Sequence, residues 1–119
     1  MNIDIRPRHR NAPRIAEKHA PGFLQWVRGR SCILAATGKC GGRMEAAHVD
    51  YAGGKGMGTK VADKHVVPMC TWHHAEQTRK GWRQFEALYG IRAVDIAAFL
   101  WSRWPGRPAW EKRLEARNG

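Results

Sequence analysis

Apolar residues recur at helical spacing in three stretches of the chain. Phe23, Leu24, Trp26 and Val27 predict a short amphipathic helix over residues 22–30. Trp82, Phe85, Leu88 and Tyr89 form a second stripe, and Gly90 supplies the glycine that commonly follows a helix C-terminus. Ile96, Phe99, Leu100 and Trp104 are the core candidates of a third helix over 94–104. Pro105 and Pro108 then interrupt the chain, and 110–117 reads as a last helix. Between the first two stripes the pattern changes. Residues 43–51 read as a strand, and 63–69 as a short extended return that Pro68 confines to a sheet edge. A helix over 71–80 follows, capped by Cys70 or Thr71 and broken by Gly81. Residues 31–42 and 52–60 read as glycine-containing loops. The expected fold class is α+β. A basic arm over 1–21, with a helical turn around 13–19, precedes a single domain over 22–119. Its core is expected at about 31–80 and its packing helices at about 81–119. No internal repeat or second domain is evident.

A chain of 119 residues supports one modest core, and thin cores often add a metal or disulfides. Three cysteines cannot all pair within one chain. Reduced thiols, some of them holding metal, fit better. No apolar run approaches the roughly 20 residues of a membrane helix, and residues 1–14 lack the apolar centre of a secretory signal. A soluble protein of bacterial cytoplasm is the expectation.

The formal net charge of +11 points to a polyanionic partner, nucleic acid by default. A merely solvated basic surface or a membrane-surface binder is the alternative. The latter needs a basic amphipathic helix, and the stretch from Arg6 to Arg14 carries two prolines and no such pattern. Phosphate contacts are assigned to Arg6, Arg8, Arg10 and Arg14, to Lys55 and Lys60 in the 52–60 loop, and to the basic end 112–117. That loop lacks Walker A spacing. Of the six tryptophans, Trp26, Trp82, Trp101 and Trp104 fall on apolar stripes and read as core. Trp72 and Trp110 are freer, with base stacking as the alternative use.

Two constellations carry chemistry. Cys32, Cys40, Cys70 and His73 would make a Cys₃His structural zinc site. Cys70-x-x-His73 has ordinary ligand spacing, whereas seven residues separate Cys32 from Cys40, wider than a usual knuckle. The alternative for Cys32 is an ordinary buried thiol. The second constellation centres on His48. A neutral histidine can take a proton from water near pH 7, and phosphodiester cleavage also needs an electrophile to neutralise charge. A lone histidine on a strand is more commonly a hydrogen-bonded structural residue. His48, however, shares its segment with Glu45, Asp50, Asp63, His65 and His74.

The order of these motifs resembles a known family. A cysteine pair precedes Glu45-Ala46-Ala47-His48-Val49. The glycine-rich Gly56-Met57-Gly58-Thr59-Lys60, Asp63 and the run Val67-Pro68-Met69-Cys70-Thr71-Trp72-His73-His74-Ala75-Glu76-Gln77 follow. Over about residues 23–104 the chain is similar to the small phage and prophage HNH (ββα-metal) endonucleases, the Ref-like group among them. The resemblance implies a zinc-stapled ββα-metal core and metal-dependent hydrolysis of single- or double-stranded DNA, leaving 5′-phosphate and 3′-hydroxyl ends. It implies His48 as general base, His74 as ligand of a catalytic Mg²⁺ or Mn²⁺, and Glu45 as an acidic active-site residue. Asp63 would serve as a metal ligand, an orienting group or a turn cap.

Three departures matter. Many relatives carry a further histidine one helical turn after the position of His74, where this chain has Thr78. The middle asparagine of the family name has no evident counterpart, its slot falling near His65. The cysteine spacing is long. His65, Asp63 or Glu45 would have to complete the catalytic metal shell. A zinc-stapled nucleic-acid-binding module without catalysis is the rival expectation. A phage accessory factor acting through a recombination or packaging partner is another. A monomer and a dimer are both compatible with the sequence.

Overall fold

A computed structural model describes residues 16–53 and 61–118. The phosphate contacts expected of Arg6, Arg8, Arg10, Arg14, Lys55 and Lys60 lie outside the described residues. After a 3₁₀ turn at Ala16–Lys18, the elements run α1 (Pro21–Arg28), β1 (Met44–His48), β2 (Val66–Cys70), α2 (Thr71–Lys80), α3 (Trp82–Tyr89), α4 (Ala93–Arg103) and α5 (Arg107–Asn118). A second 3₁₀ turn at Ala35–Thr37 lies in the loop before β1. The class is α+β, with one two-stranded antiparallel sheet.

β1 and β2 pair from Met44 opposite Cys70 to His48 opposite Val66. All five residues of β2 are buried, because the small sheet has helices on both faces. Alternation along a strand sends successive side chains to opposite sides. Ala47, Val67 and Met69 enter one core with Val49, Trp82, Phe85, Ala93 and Ala97. Ala46 and Val66 face a second cluster of Phe23, Val27 and Trp104. Pro68 is tolerated inside this sheet for a backbone reason. Its carbonyl accepts from Ile33 N–H at 3.0 Å, so that residue's backbone faces away from β1 and the missing N–H removes no ladder bond.

The second cluster is aromatic. Phe23 meets the Trp101 ring edge-on at 5.0 Å and the Trp104 ring at 5.5 Å. Trp110 also belongs to it. Its ring lies 5.1 Å from Trp101, and its indole N–H donates to the His19 carbonyl at 2.8 Å. The expected freedom of Trp110 is thus replaced by packing, whereas Trp72 remains 48% exposed. Two core assignments also change. Leu88 and Phe99 fall on apolar stripes but are 56% and 57% exposed, and Arg103 lies over the Phe99 ring at 5.0 Å. Helical spacing identifies a face, but both positions stay largely open to solvent. Pro108 does not break the last helix; it is the second residue of α5, where a proline's absent N–H is free of cost.

The folded unit begins before residue 22. Ala20 is buried, and Asp63 N–H donates to the Lys18 carbonyl at 2.9 Å. Gly42 carries a different constraint. Its φ of +81° is left-handed, and a Cβ there would sit 2.6 Å from Thr71 Cβ. Only glycine lets the loop approach the start of α2 so closely.

Both tyrosines of the chain donate to carboxylates, Tyr51 to Glu86 and Tyr89 to Glu76. Burial, reinforced by Glu86, pushes the Tyr51 phenol up to about 12, and the Glu76 hydrogen bond, reinforced by burial, does the same for Tyr89. Each phenol holds its proton more tightly in the folded chain than at the free value of about 10. Their contribution to stability is therefore complete below about pH 10 and is lost as pH rises through about 12. Phenolate absorbance of the native protein should rise near pH 12, and should return to about pH 10 in urea.

Candidate metal centre and adjoining groove

Cys70 ends β2 and is the N-cap of α2, its Sγ accepting the His73 N–H at 3.3 Å. A thiolate thus meets a need that every helix start creates, the pairing of a free N–H. One turn of helix then brings His73 Nδ1 to 3.3 Å from Cys70 Sγ. The preceding loop supplies Cys32 and Cys40, whose Sγ atoms each lie 3.7 Å from His73 Nδ1. The four donor atoms all fall within 4.8 Å of one another. Around a tetrahedral ion with bonds of about 2.0–2.3 Å, neighbouring donors sit about 3.5–3.8 Å apart. The three spacings from His73 Nδ1, 3.3, 3.7 and 3.7 Å, lie near the edges of such a tetrahedron.

The electrostatics agree. Burial opposes a Cys70 thiolate, but the N–H groups of His73 and Gly41 and the neighbouring side chains outweigh it, and its pKa falls to about 6. Cys40 is pushed up to about 12, by desolvation first and then by Cys32 and Cys70. Three thiols crowded together cannot all ionise without a cation among them, and a bound cation removes that conflict. Leu34 N–H adds a 3.4 Å bond to Cys32 Sγ. His73 Nε2 is the one sealed side-chain polar atom without a partner among the described residues. It lies among aromatic rings, with Trp72 and Tyr89 edge-on at 4.9 and 5.8 Å. The wide separation of Cys32 and Cys40 is absorbed by the 3₁₀ turn at Ala35–Thr37 and by Gly38, whose φ is +71°. Cys32, Cys40, Cys70 and His73 together can hold one metal ion.

On the other side of α2, His74 lines an open groove of about 570 Å³ with His48, Asp50, Gln77, Thr78 and Trp82. His74 Nδ1 lies 2.6 Å from Glu45 Oε1. The Thr71 hydroxyl is within reach of Glu45 Oε2, at 3.2 Å. The hydrogen bond from His74 holds the Glu45 carboxyl below its ordinary range, against the opposing effect of burial. His48 Nε2 lies 2.9 Å from Asp63 Oδ1, and Asp63 Oδ2 accepts the Ala20 N–H at 2.9 Å.

Both oxygens of Asp63 are therefore engaged by protein groups. Of the three roles the sequence leaves open for it, the contact with His48 suits the orienting one. His65 is placed away from a ligand cluster. Its ring faces Gly53, and burial, then Lys64 and His48, hold its pKa down. Among the described residues no third histidine, cysteine or carboxylate joins His74 and Glu45 in a ligand group. Thr78 does not substitute for one, because its hydroxyl donates to the His74 carbonyl at 3.0 Å. Gln77 was not legible as a site residue. It lines the groove beside His74 although it is only 8% exposed, and its i+3 spacing from His74 is the signal that would have found it.

Fold and site together define a small α+β protein in which a Cys₃His group joins a loop to the end of a hairpin and the start of a helix. Residues 4–103 match the family described as "protein of unknown function (DUF968)", and the chain belongs to that family. No curated protein and no solved structure matches the chain. No helix among the described residues is long and apolar enough to cross a membrane.

Purified protein is expected to carry one tightly held metal ion per chain by elemental analysis. Cys70→Ala should lose that ion together with the cooperative unfolding transition, because it removes a ligand and a helix cap at once.

Proposed function

We propose that this protein is a metal-dependent endonuclease of the HNH (ββα-metal) kind, hydrolysing phosphodiester bonds in DNA, with zinc as the ion of the Cys₃His group. The observation that carries this reading is the groove that holds His48, oriented by a carboxylate, together with the His74–Glu45 pair. Zinc suits three thiolates and an imidazole in a closed tetrahedron. The net charge of +11 supports a polyanionic substrate.

With Nε2–H given to Asp63, His48 keeps Nδ1 as the acceptor. Nδ1 takes the proton of a water that attacks phosphorus in line, and the leaving 3′ oxygen departs as a hydroxyl once reprotonated. Asp63 holds the ring in the tautomer this needs and stabilises the imidazolium that forms. Asp63 is thus a positioning residue. His74 and Glu45 would hold a divalent cation such as Mg²⁺ or Mn²⁺, which supplies Lewis-acid neutralisation of the phosphate and the leaving oxygen. Hard cations of this type take few protein ligands and complete their shell with phosphate and water, which a two-residue site accommodates. Exposed lysines and arginines neutralise the backbone without reading sequence.

A second reading has one observation in its favour. Thr78 is committed to the His74 carbonyl and gives the cation no third protein ligand. A nucleic-acid-binding module, or a factor that cuts only with a phage recombination or packaging partner, would have this composition.

Supercoiled plasmid separates these readings, because binding alone cannot relax it. Wild type is expected to nick plasmid with Mg²⁺ or Mn²⁺, and His48→Ala at equal zinc content to fall by about 10²–10⁴-fold. DNA binding without nicking by both proteins would favour the module.

Asp63→Asn tests the orienting role separately. It should lower the nicking rate by at least about tenfold with DNA affinity unchanged, and should alter the pH profile of the reaction.

A further inference from the structure

The groove contains one buried polar side chain that the mechanism above does not use. Gln77 is only 8% exposed, yet its amide has no hydrogen-bond partner among the described residues. Its neighbours on α2 differ. Glu76, equally buried, accepts the Tyr89 hydroxyl at 2.5 Å, and Thr78 donates to the His74 carbonyl at 3.0 Å. Buried polar side chains are nearly always paired, since an unpaired one forfeits its bonds to water. Nor is the Gln77 amide sealed in the interior, as His73 Nε2 is. Gln77 lines the groove together with His48 and His74. A helix turn places residues three apart on one face, so Gln77 and His74 address the same space.

We infer that Gln77 is a substrate-contacting residue whose side-chain NH₂ donates to a non-bridging oxygen of the phosphodiester in this groove. This inference rests on the phosphodiester reading of the site. The side chain is neutral, presents two donors and is held by the packing that buries it. It can therefore pair with a phosphate oxygen without the ordering cost of a free surface side chain. As charge accumulates on the oxygens during attack, a fixed donor pairs more strongly with them, so the contact acts on the rate and not only on binding. The amide oxygen could instead face a cation, and the test distinguishes these uses.

Two measurements decide the matter. The first titrates ¹⁵N-labelled His48→Ala protein with a thymidine tetranucleotide in Mg²⁺, following the Gln77 side-chain amide resonances. These are identified by their loss in the His48→Ala, Gln77→Ala double variant. The expected result is a saturable shift of those resonances together with the backbone amides of Ala46 and Thr78. A tetranucleotide that binds without moving them, or that fails to perturb the groove, overturns the inference. The second compares plasmid nicking by wild type, Gln77→Ala and Gln77→Glu, each with an unchanged unfolding midpoint. Both variants should lose about 10- to 100-fold in kcat/KM. Gln77→Glu should be the worse, because it replaces donors with a negative charge. A Gln77→Glu protein as active as wild type, with a changed preference among Mg²⁺, Mn²⁺ and Ca²⁺, would overturn the donor role and make residue 77 a cation ligand. Should wild type fail to nick while the Gln77 resonances still shift, the hydrolase reading falls and the phosphodiester contact stands.

Discussion

The fold depends on one local contact, the Cys70 sulfur receiving the His73 N–H at the start of α2. That contact ends a strand, caps a helix and sets the spacing of two metal ligands at once. With Cys32 and Cys40 added from the loop, four points of the chain converge on one small volume. A two-stranded sheet is marginal by itself, and this one is fixed at the end where β2 becomes α2. Helix α2 then serves two sites. His73 faces the metal group, and His74, one residue on and about 100° around the axis, faces the groove.

The same economy explains the sheet. A five-residue strand buried along its whole length gives Val66 to one core and Val67, Met69 and Cys70 to the other. The aromatic cluster around Phe23 closes one face, and the cluster around Phe85 closes the other. Core and site share residues. Trp82 packs against Phe85 and also forms part of the groove wall, and Val49 continues β1 past His48 into the core. His48 therefore stands on a strand whose neighbours are immobilised by packing, which suits a group that must hold a fixed orientation.

Much of this was legible in the sequence where the signal is local. Helix 71–80 has the expected bounds, because Cys70 and Gly81 punctuate it and both act within a single turn. The Cys₃His group was legible from the spacing of Cys70 and His73. Each strand is shorter than the range its pattern predicts, and β2 runs one residue further, to Cys70, since only pairing decides where a ladder ends. What was not legible depends on contacts between distant segments. The Asp63 carboxylate could be read as ligand, orienter or cap until the return of the chain placed it beside His48. Leu88 and Phe99 lie on apolar stripes yet stay more than half exposed. Glutamine is a common helix residue, so the i+3 spacing of Gln77 from His74 is a weak signal until its burial without a partner sets it apart.

Asp63 also joins two things that would otherwise be separate. One oxygen holds His48, the other holds the backbone of Ala20, and the Asp63 N–H is tied to Lys18. The segment leading into α1 is therefore a strut for the histidine, and the basic arm is continuous with that strut. Trimming the chain from its N-terminus would do more than remove positive charge. A cut beyond Ala20 would take away both backbone partners of Asp63 and leave its hold on His48 without that brace.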